Sequence, residues 1–172
     1  KNMTVLSYPK KPDVTGMDYP TVDVFIATYN EPVELLFKTV NACTNMVYPE
    51  MEKVQIYLCD DGERKEVKRL AKKFKVNYLA REEHSGAKAG NLNHALAHSK
   101  GELIVTFDAD MIPRSNFLME CVPYFMHDLQ RAKLLEQKDG KEARRNRKGK
   151  FGFVQTPQSF YNLDLFQYNL YS

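Results

Sequence analysis

Three acidic signals each follow a short apolar run along this chain: Tyr29-Asn30-Glu31 after Val22 to Thr28, Asp60-Asp61-Gly62 after Val54 to Cys59, and Asp108-Ala109-Asp110 after Leu103 to Phe107. Each run reads as a strand, the near-continuous first one as a strand covered on both faces, so each acidic group falls where a strand ends. In an open α/β sheet the carboxyl ends of parallel strands line the ligand crevice. Carboxylates gathered there suit a cation, or an anion carried by a cation, and a nucleotide sugar with a divalent metal meets that description. Asp108 and Asp110 are one residue apart. In a chain still extended at the strand end both side chains can point the same way and share one hard cation, Mg²⁺ or Mn²⁺. The competing reading is a polar turn. Asp60 and Asp61 are adjacent, so in extended geometry they face opposite ways, and Gly62 permits the turn that brings one of them into a pocket. One can hold a base or ribose while the other caps a helix.

A cation completes the set. Lys88 lies in Gly86-Ala87-Lys88-Ala89-Gly90-Asn91-Leu92-Asn93, small residues at the start of a helix. Backbone N–H groups there can approach an anion closely, and Lys88 can neutralise a diphosphate. The alternative is a surface lysine on an ordinary first turn. His94 and His98 are spaced i, i+4 as a zinc pair would be, but no Glu follows His94 and no third ligand is apparent.

The elements that must position these groups alternate. Pro32 stands at the first position of a helix marked by Leu36, Val40, Cys43 and Val47 and stopped at Pro49. Val67, Leu70, Ala71 and Phe74 form one face of a second helix, and Val76 to Leu79 is a short strand. Ala89, Leu92, Ala95 and Leu96 mark a third helix, and a fourth covers about 115–127. Phe151 to Thr156 reads as a further strand, and Leu163, Phe166 and Leu170 have helical spacing. Strands alternating with helices predict an α/β fold with a mainly parallel sheet.

Residues 1–20 are polar and Pro-rich and read as an extended lead-in; residues 21–172 fit one domain, with no composition break to divide them. The formal net charge of +3 is too small to mark a nucleic-acid binder. It is unevenly placed, however: residues 131–150 hold nine Lys or Arg against three acids, a net +6 that leaves −3 for the remainder. That stretch reads as a solvated, flexible basic insertion, with contact to anionic lipid headgroups as the second reading and a nucleic-acid patch as the third. Cys43, Cys59 and Cys121 are odd in number, lack any Cys-x-x-Cys spacing and sit in apolar surroundings, which predicts buried reduced thiols. No run approaches the ~20 apolar residues of a transmembrane helix, so the chain as it stands reads as soluble. It starts at Lys1 and stops at Ser172 inside an apolar helical pattern, so it reads as a piece of something longer.

Taken in order, Asp23-Val24-Phe25-Ile26-Ala27-Thr28-Tyr29-Asn30-Glu31-Pro32, Asp60-Asp61-Gly62, Lys88-Ala89-Gly90-Asn91-Leu92-Asn93, Asp108-Ala109-Asp110 and Thr156-Pro157-Gln158 resemble the family 2 glycosyltransferases, and within them the processive cellulose synthases. The match covers about residues 20–165. The resemblance implies a GT-A fold, a Rossmann-like nucleotide-binding sheet flanked by helices, here incomplete. It implies that Thr28, Tyr29 and Glu31 contact a uridine with Asp61 beside the base or ribose and Asp60 its partner carboxylate. Lys88 would bind the diphosphate, Asp108 and Asp110 the metal or the UDP, and Thr156, Pro157 and Gln158 would lie near the acceptor end of a glucan. UDP-glucose is the implied donor, and the reaction would invert the anomeric centre. Chitin, hyaluronan or mannan synthesis, or a non-catalytic nucleotide-binding module, are the alternatives.

One departure matters. The family's general base, the Asp of a Thr-Glu-Asp motif, and its Gln-x-x-Arg-Trp motif lie downstream of the Thr-Pro-Gln region, and neither occurs here; the chain contains no Trp. The resemblance therefore implies the donor-binding part of a synthase that works at the cytoplasmic face of the plasma (inner) membrane, its base expected downstream of Ser172. Alone, this part would bind UDP with metal and make no polymer.

Overall fold

Val22–Thr28 forms β1, and all seven of its residues are buried, as a continuous apolar run at the centre of a parallel sheet requires. A computed structural model describes residues 9–81, 86–139 and 152–158 of the chain. Four strands pair in the order β3-β2-β1-β4, with β2 at Val54–Asp60, β3 at Asn77–Leu79 and β4 at Leu103–Asp108. Every pairing is parallel.

Helices cover both faces. Val22, Val24 and Ile26 point to one side, where they meet Leu36 and Val40 of α1 (Val33–Thr44), Val67 of α2 (Lys65–Phe74), Leu118 of α4 (Phe117–Cys121) and Met126 of α5 (Pro123–Asp139). Each such side chain taken from water contributes about 1.5–3 kcal/mol, and this larger core fixes the sheet. Phe25 and Cys59 point the other way, against Ala95 of α3 (Ala87–His98). The three thiols are free and buried, and burial pushes those of Cys43 and Cys59 up to about 12.

Buried polar contacts tie the loops to this frame. Asp23, at the start of β1, accepts hydrogen bonds from the backbone N–H groups of Lys100 (2.9 Å) and Gly101 (2.7 Å), which sets the turn into β4. The Thr39 hydroxyl on α1 donates to the carbonyl of Ala109 at 2.6 Å and so holds the Asp108-Ala109-Asp110 turn against that helix. Within the lead-in, Pro9 accepts from Tyr124 and Lys11 pairs with Glu120, binding the segment over α4 and α5.

Four sequence expectations need correction. The first helix stops at Thr44, because Asn45 leaves helical geometry; Met46 rather than Val47 enters the core, and the Val47 N–H donates to the distant Ser115 carbonyl at 2.7 Å. The helix expected at 115–127 is two, broken at Val122 with Pro123 opening α5, and α5 runs on through 131–139. Those nine residues are therefore not a flexible insertion: Ala132 is buried and Lys133 pairs with Glu102 at 2.9 Å. Their net charge is only +1, so +5 of the basic excess falls in 140–150, outside the described residues. Finally, residues 152–156 form no strand, and Phe153 is 79% exposed, so this run lacks the two covering faces a buried strand needs. Phe151 and the apolar pattern at Leu163, Phe166 and Leu170 also lie outside the described residues.

Candidate functional site

Strand register brings the three acidic signals side by side. Thr28 pairs with Asp60 across β1 and β2, and Ala27 pairs with Asp108 across β1 and β4. Neighbouring strands lie about 4.8 Å apart, so one carboxyl edge carries all three.

The β1 end is organised by Glu31. Its Oε2 accepts from the Thr28 hydroxyl at 2.7 Å and from the Tyr29 backbone N–H at 2.8 Å, and the Tyr29 side chain is left 61% exposed. Partial burial works to raise the Glu31 carboxyl, but these two hydrogen bonds, with the Arg64 charge nearby, outweigh it and hold the group below its ordinary value of 4.5. A depressed folded-state value stabilises the fold above the unfolded-state value and stops doing so as pH falls through the folded one. The urea-midpoint gap between the native chain and Glu31→Gln should accordingly be full at neutral pH and shrink as pH falls below the ordinary carboxylate range. A gap independent of pH would contradict this.

The β2 end holds two carboxylates with different duties. Asp60 is fully buried and accepts from the N–H groups of Gly62 (3.2 Å) and Arg64 (2.6 Å), the Arg64 Nε (3.2 Å) and the Tyr78 hydroxyl (3.1 Å). Burial, with Asp60 beside it, pushes the Tyr78 phenol up to about 12, so it donates as a neutral hydroxyl. Asp61 is paired two-pronged with Arg81, at 2.5 and 2.9 Å, and Arg81 also donates to the Ala87 carbonyl at 2.9 Å. One buried guanidinium thus joins the second acidic signal to the first turn of α3. Gly62 sits where an added Cβ would lie 2.4 Å from the Tyr29 carbonyl. Gly62→Ala should displace the Tyr29 segment and cost about 1–3 kcal/mol, measurable by denaturant unfolding; an unchanged midpoint would show that the two loops are not in contact.

At the third signal, Lys88 on the first turn of α3 forms an ion pair with Asp108, each side chain about half exposed. Asn91, buried on the same helix, donates to the Cys59 carbonyl at 2.8 Å and fixes α3 to the end of β2. Ala109 is buried and Asp110 exposed. Asp108 and Asp110 flank this pinned turn, and carboxylate oxygens are the ligand type that a hard divalent ion prefers. Lys88, Asp108, Thr156 and Gln158 line one cavity of about 880 Å³ along β4, with Phe117 and Phe125 on its apolar wall. Thr28, Tyr29, Glu31, Asp60 and Asp61 lie outside that cavity, as does Asp110; Pro157 is exposed beside it. His98 Nδ1 lies 2.8 Å from the His94 carbonyl, and among the described residues no group of three or more His, Cys, Asp or Glu could hold a metal.

Arg64, Tyr78, Arg81, Asn91 and Thr39 were not singled out from the sequence.

Residues 23–166 match the family model described as Glycosyl transferase family 2. The chain is 36% identical over 153 residues to the cellulose synthase catalytic subunit [UDP-forming] of Pseudomonas fluorescens (strain SBW25), covering 89% of this chain and 18% of that protein. It is 35% identical over 165 residues to cellulose synthase 1 of Komagataeibacter xylinus, covering 96% and 9%. The chain thus spans less than a fifth of the length of these relatives. Among solved structures, the Pyrobaculum calidifontis mannosyltransferase in complex with GDP-Man and Mn²⁺ superposes with a TM-score of 0.58 at 27% identity, covering 66% of this chain and 34% of that one. The Mycobacterium tuberculosis glucosyl-3-phosphoglycerate synthase in complex with Mn²⁺, UDP and glucosyl-3-phosphoglycerate gives 0.52 at 19% identity, covering 62% and 40%, a likeness of fold. The parallel sheet flanked by helices is that of the GT-A glycosyltransferases.

Proposed function

The chain belongs to glycosyl transferase family 2, of cellulose synthase type, and from that premise we propose that it is the donor-binding part of an inverting transferase that passes glucose from UDP-glucose to a growing β-glucan. The observation that carries the proposal is the register, which sets Thr28, Asp60 and Asp108 on adjacent strand ends with Lys88 against the last of them.

The parts divide the ligand. The exposed Tyr29 ring offers a face on which a base can stack, and Asp61, oriented by Arg81, accepts from base or ribose. Asp60, with all its contacts inward, shapes the turn that presents Asp61. Asp108 and Asp110 would hold Mg²⁺ or Mn²⁺, which when bound supplies neutralisation of the charge that builds on the departing diphosphate. Lys88 adds a second positive charge there. Thr156 and Gln158 line the β4 cavity with Pro157 exposed beside it, and on this reading the three would lie near the acceptor end of the glucan. Deprotonation of that hydroxyl needs a base from elsewhere in the whole protein, a deficit of about 10²–10⁴-fold or more. The isolated chain should therefore bind donor and incorporate no labelled glucose into insoluble glucan; incorporation by this chain alone would refute that part. The whole protein, on this reading, works at the cytoplasmic membrane face; among the described residues no helix is long and apolar enough to cross a membrane.

A second donor has one observation in its favour, the GDP-Man complex of the 27% identical mannosyltransferase. Thermal shifts with UDP-glucose and GDP-mannose, each with Mn²⁺, separate the two: a rise in Tm with the uridine donor alone supports the first.

Lys88 and a metal ion compete for Asp108. Lys88→Met should bind Mn²⁺ two- to fivefold more tightly without nucleotide, the reach of a half-exposed ion pair of about 0.5–1 kcal/mol, yet bind UDP less well. Manganese EPR titration reads the first effect, and an unchanged Mn²⁺ affinity would exclude the competition.

A further inference from the structure

We infer that Arg64 is a positioning residue for the base-binding end of the donor site, holding the loop after β1 in the shape that reads the nucleobase; this rests on the donor-site reading above. Arg64 stands between two strand ends. Its Nη1 donates to the Glu31 carbonyl at 2.6 Å and its Nη2 to the Thr28 hydroxyl at 2.7 Å, both on the β1 side. On the β2 side its Nε donates to Asp60 at 3.2 Å, and its own backbone N–H donates to the other oxygen of that carboxylate at 2.6 Å. One planar fork therefore clamps residues 28–31 onto Asp60, and Asp60 is itself braced by Tyr78 from β3. The side chain is 17% exposed, set behind the loop rather than offered to solvent.

The clamp also sets polarity. A hydroxyl has one proton to give, and Thr28 gives it to Glu31 while accepting from Arg64. Thr28, 3% exposed, is left with a lone pair and no proton, and Asp61 next door, 8% exposed, likewise only accepts. Acceptors held in place suit the imide N–H of uracil and are mismatched to the bare ring nitrogen of cytosine. Lysine cannot replace this function: an ammonium is a point donor on a flexible stem, without the rigid fork that reaches two loop acceptors and a carboxylate together. Nothing in the clamp touches Lys88, Asp108 or Asp110, so the diphosphate end should be independent of it.

The test uses the full chain with Arg64→Lys and Arg64→Met, calorimetric titration with UDP, CDP and inorganic pyrophosphate, each with Mn²⁺, and thermal melts of every variant. The expected result is a fall in UDP affinity of about tenfold or more and a UDP-to-CDP ratio moving toward one, because a site built on hydrogen-bond polarity discriminates strongly only while that polarity is fixed. Pyrophosphate affinity should not change. Should Arg64→Met fail to fold, Arg64→Lys decides alone. An unchanged UDP-to-CDP ratio in a folded variant overturns the inference while leaving the donor site intact, as does a parallel loss of pyrophosphate binding. A native chain that binds pyrophosphate without distinguishing UDP from CDP overturns the base-end reading itself, and the role of Arg64 with it.

Discussion

Replacing both carboxylates of the third acidic signal, Asp108→Asn with Asp110→Asn, should reduce UDP affinity in Mn²⁺ at least about 100-fold and abolish the difference between Mn²⁺ and EDTA. The magnitude follows from charge. A diphosphate brought to a strand edge that already carries Glu31, Asp61, Asp108 and Asp110 meets like charge unless a divalent ion intervenes, and each lost tenfold corresponds to only about 1.4 kcal/mol. Lys88 alone cannot supply that neutralisation, since it is already paired with Asp108 and half exposed. Stability should scarcely change, within about 0.5–1 kcal/mol, because the ion pair that is removed lies at the surface. Calorimetric titration with a parallel thermal melt separates these effects. Full UDP affinity in the double variant would remove the metal from the site.

The largest effect on stability is expected at Arg81. Arg81→Met removes the two-pronged guanidinium partner of the Asp61 carboxylate, 8% exposed, and breaking a buried pair from one side costs about 3–5 kcal/mol. For a domain of this size that is a fall in Tm of about 10 °C. The loss should spread, because Arg81 also holds the Ala87 carbonyl at the foot of α3, next to Lys88. Adding Asp61→Asn should recover part of the stability, since a neutral amide tolerates burial better than a carboxylate that has lost its guanidinium. Denaturant unfolding of the two single variants and the double variant gives the coupling directly. A Tm within about 2 °C of the native value for Arg81→Met would mean the pair is solvated and contributes little.

Much of this frame was legible because central strands of parallel sheets are covered on both faces. β1, β2 and β4 show as mostly apolar runs, interrupted at Asp23, Gln55 and Thr106, and their observed ends fall within one residue of the expected ones. β1 is buried throughout, whereas β4 is an edge strand of the described sheet with Ile104 37% exposed. The acidic groups were legible for the same reason, each standing directly after such a run. What escaped depends on contacts far apart in the chain. Val47 continues the helical period of α1, yet its N–H is drawn to Ser115, and no local pattern reports that bond. Residues 131–139 look like the start of a basic tract, but Ala132 is buried and Lys133 meets Glu102 from the other side of β4's entry turn, which keeps them helical. Arg64 and Arg81 gave the weakest signal of all. In sequence they are two cations among many, and only the pairing of β1, β2 and β3 turns each toward a buried carboxylate.

Calorimetric titration of the native chain with UDP-glucose and GDP-mannose, each in Mn²⁺ and in EDTA, tests the donor site most directly. Binding of UDP-glucose that requires the metal, with GDP-mannose at least about tenfold weaker, is the expected result. Equal binding of the two donors, or UDP-glucose binding indifferent to EDTA, would contradict a uridine-reading, metal-assisted site at these strand ends.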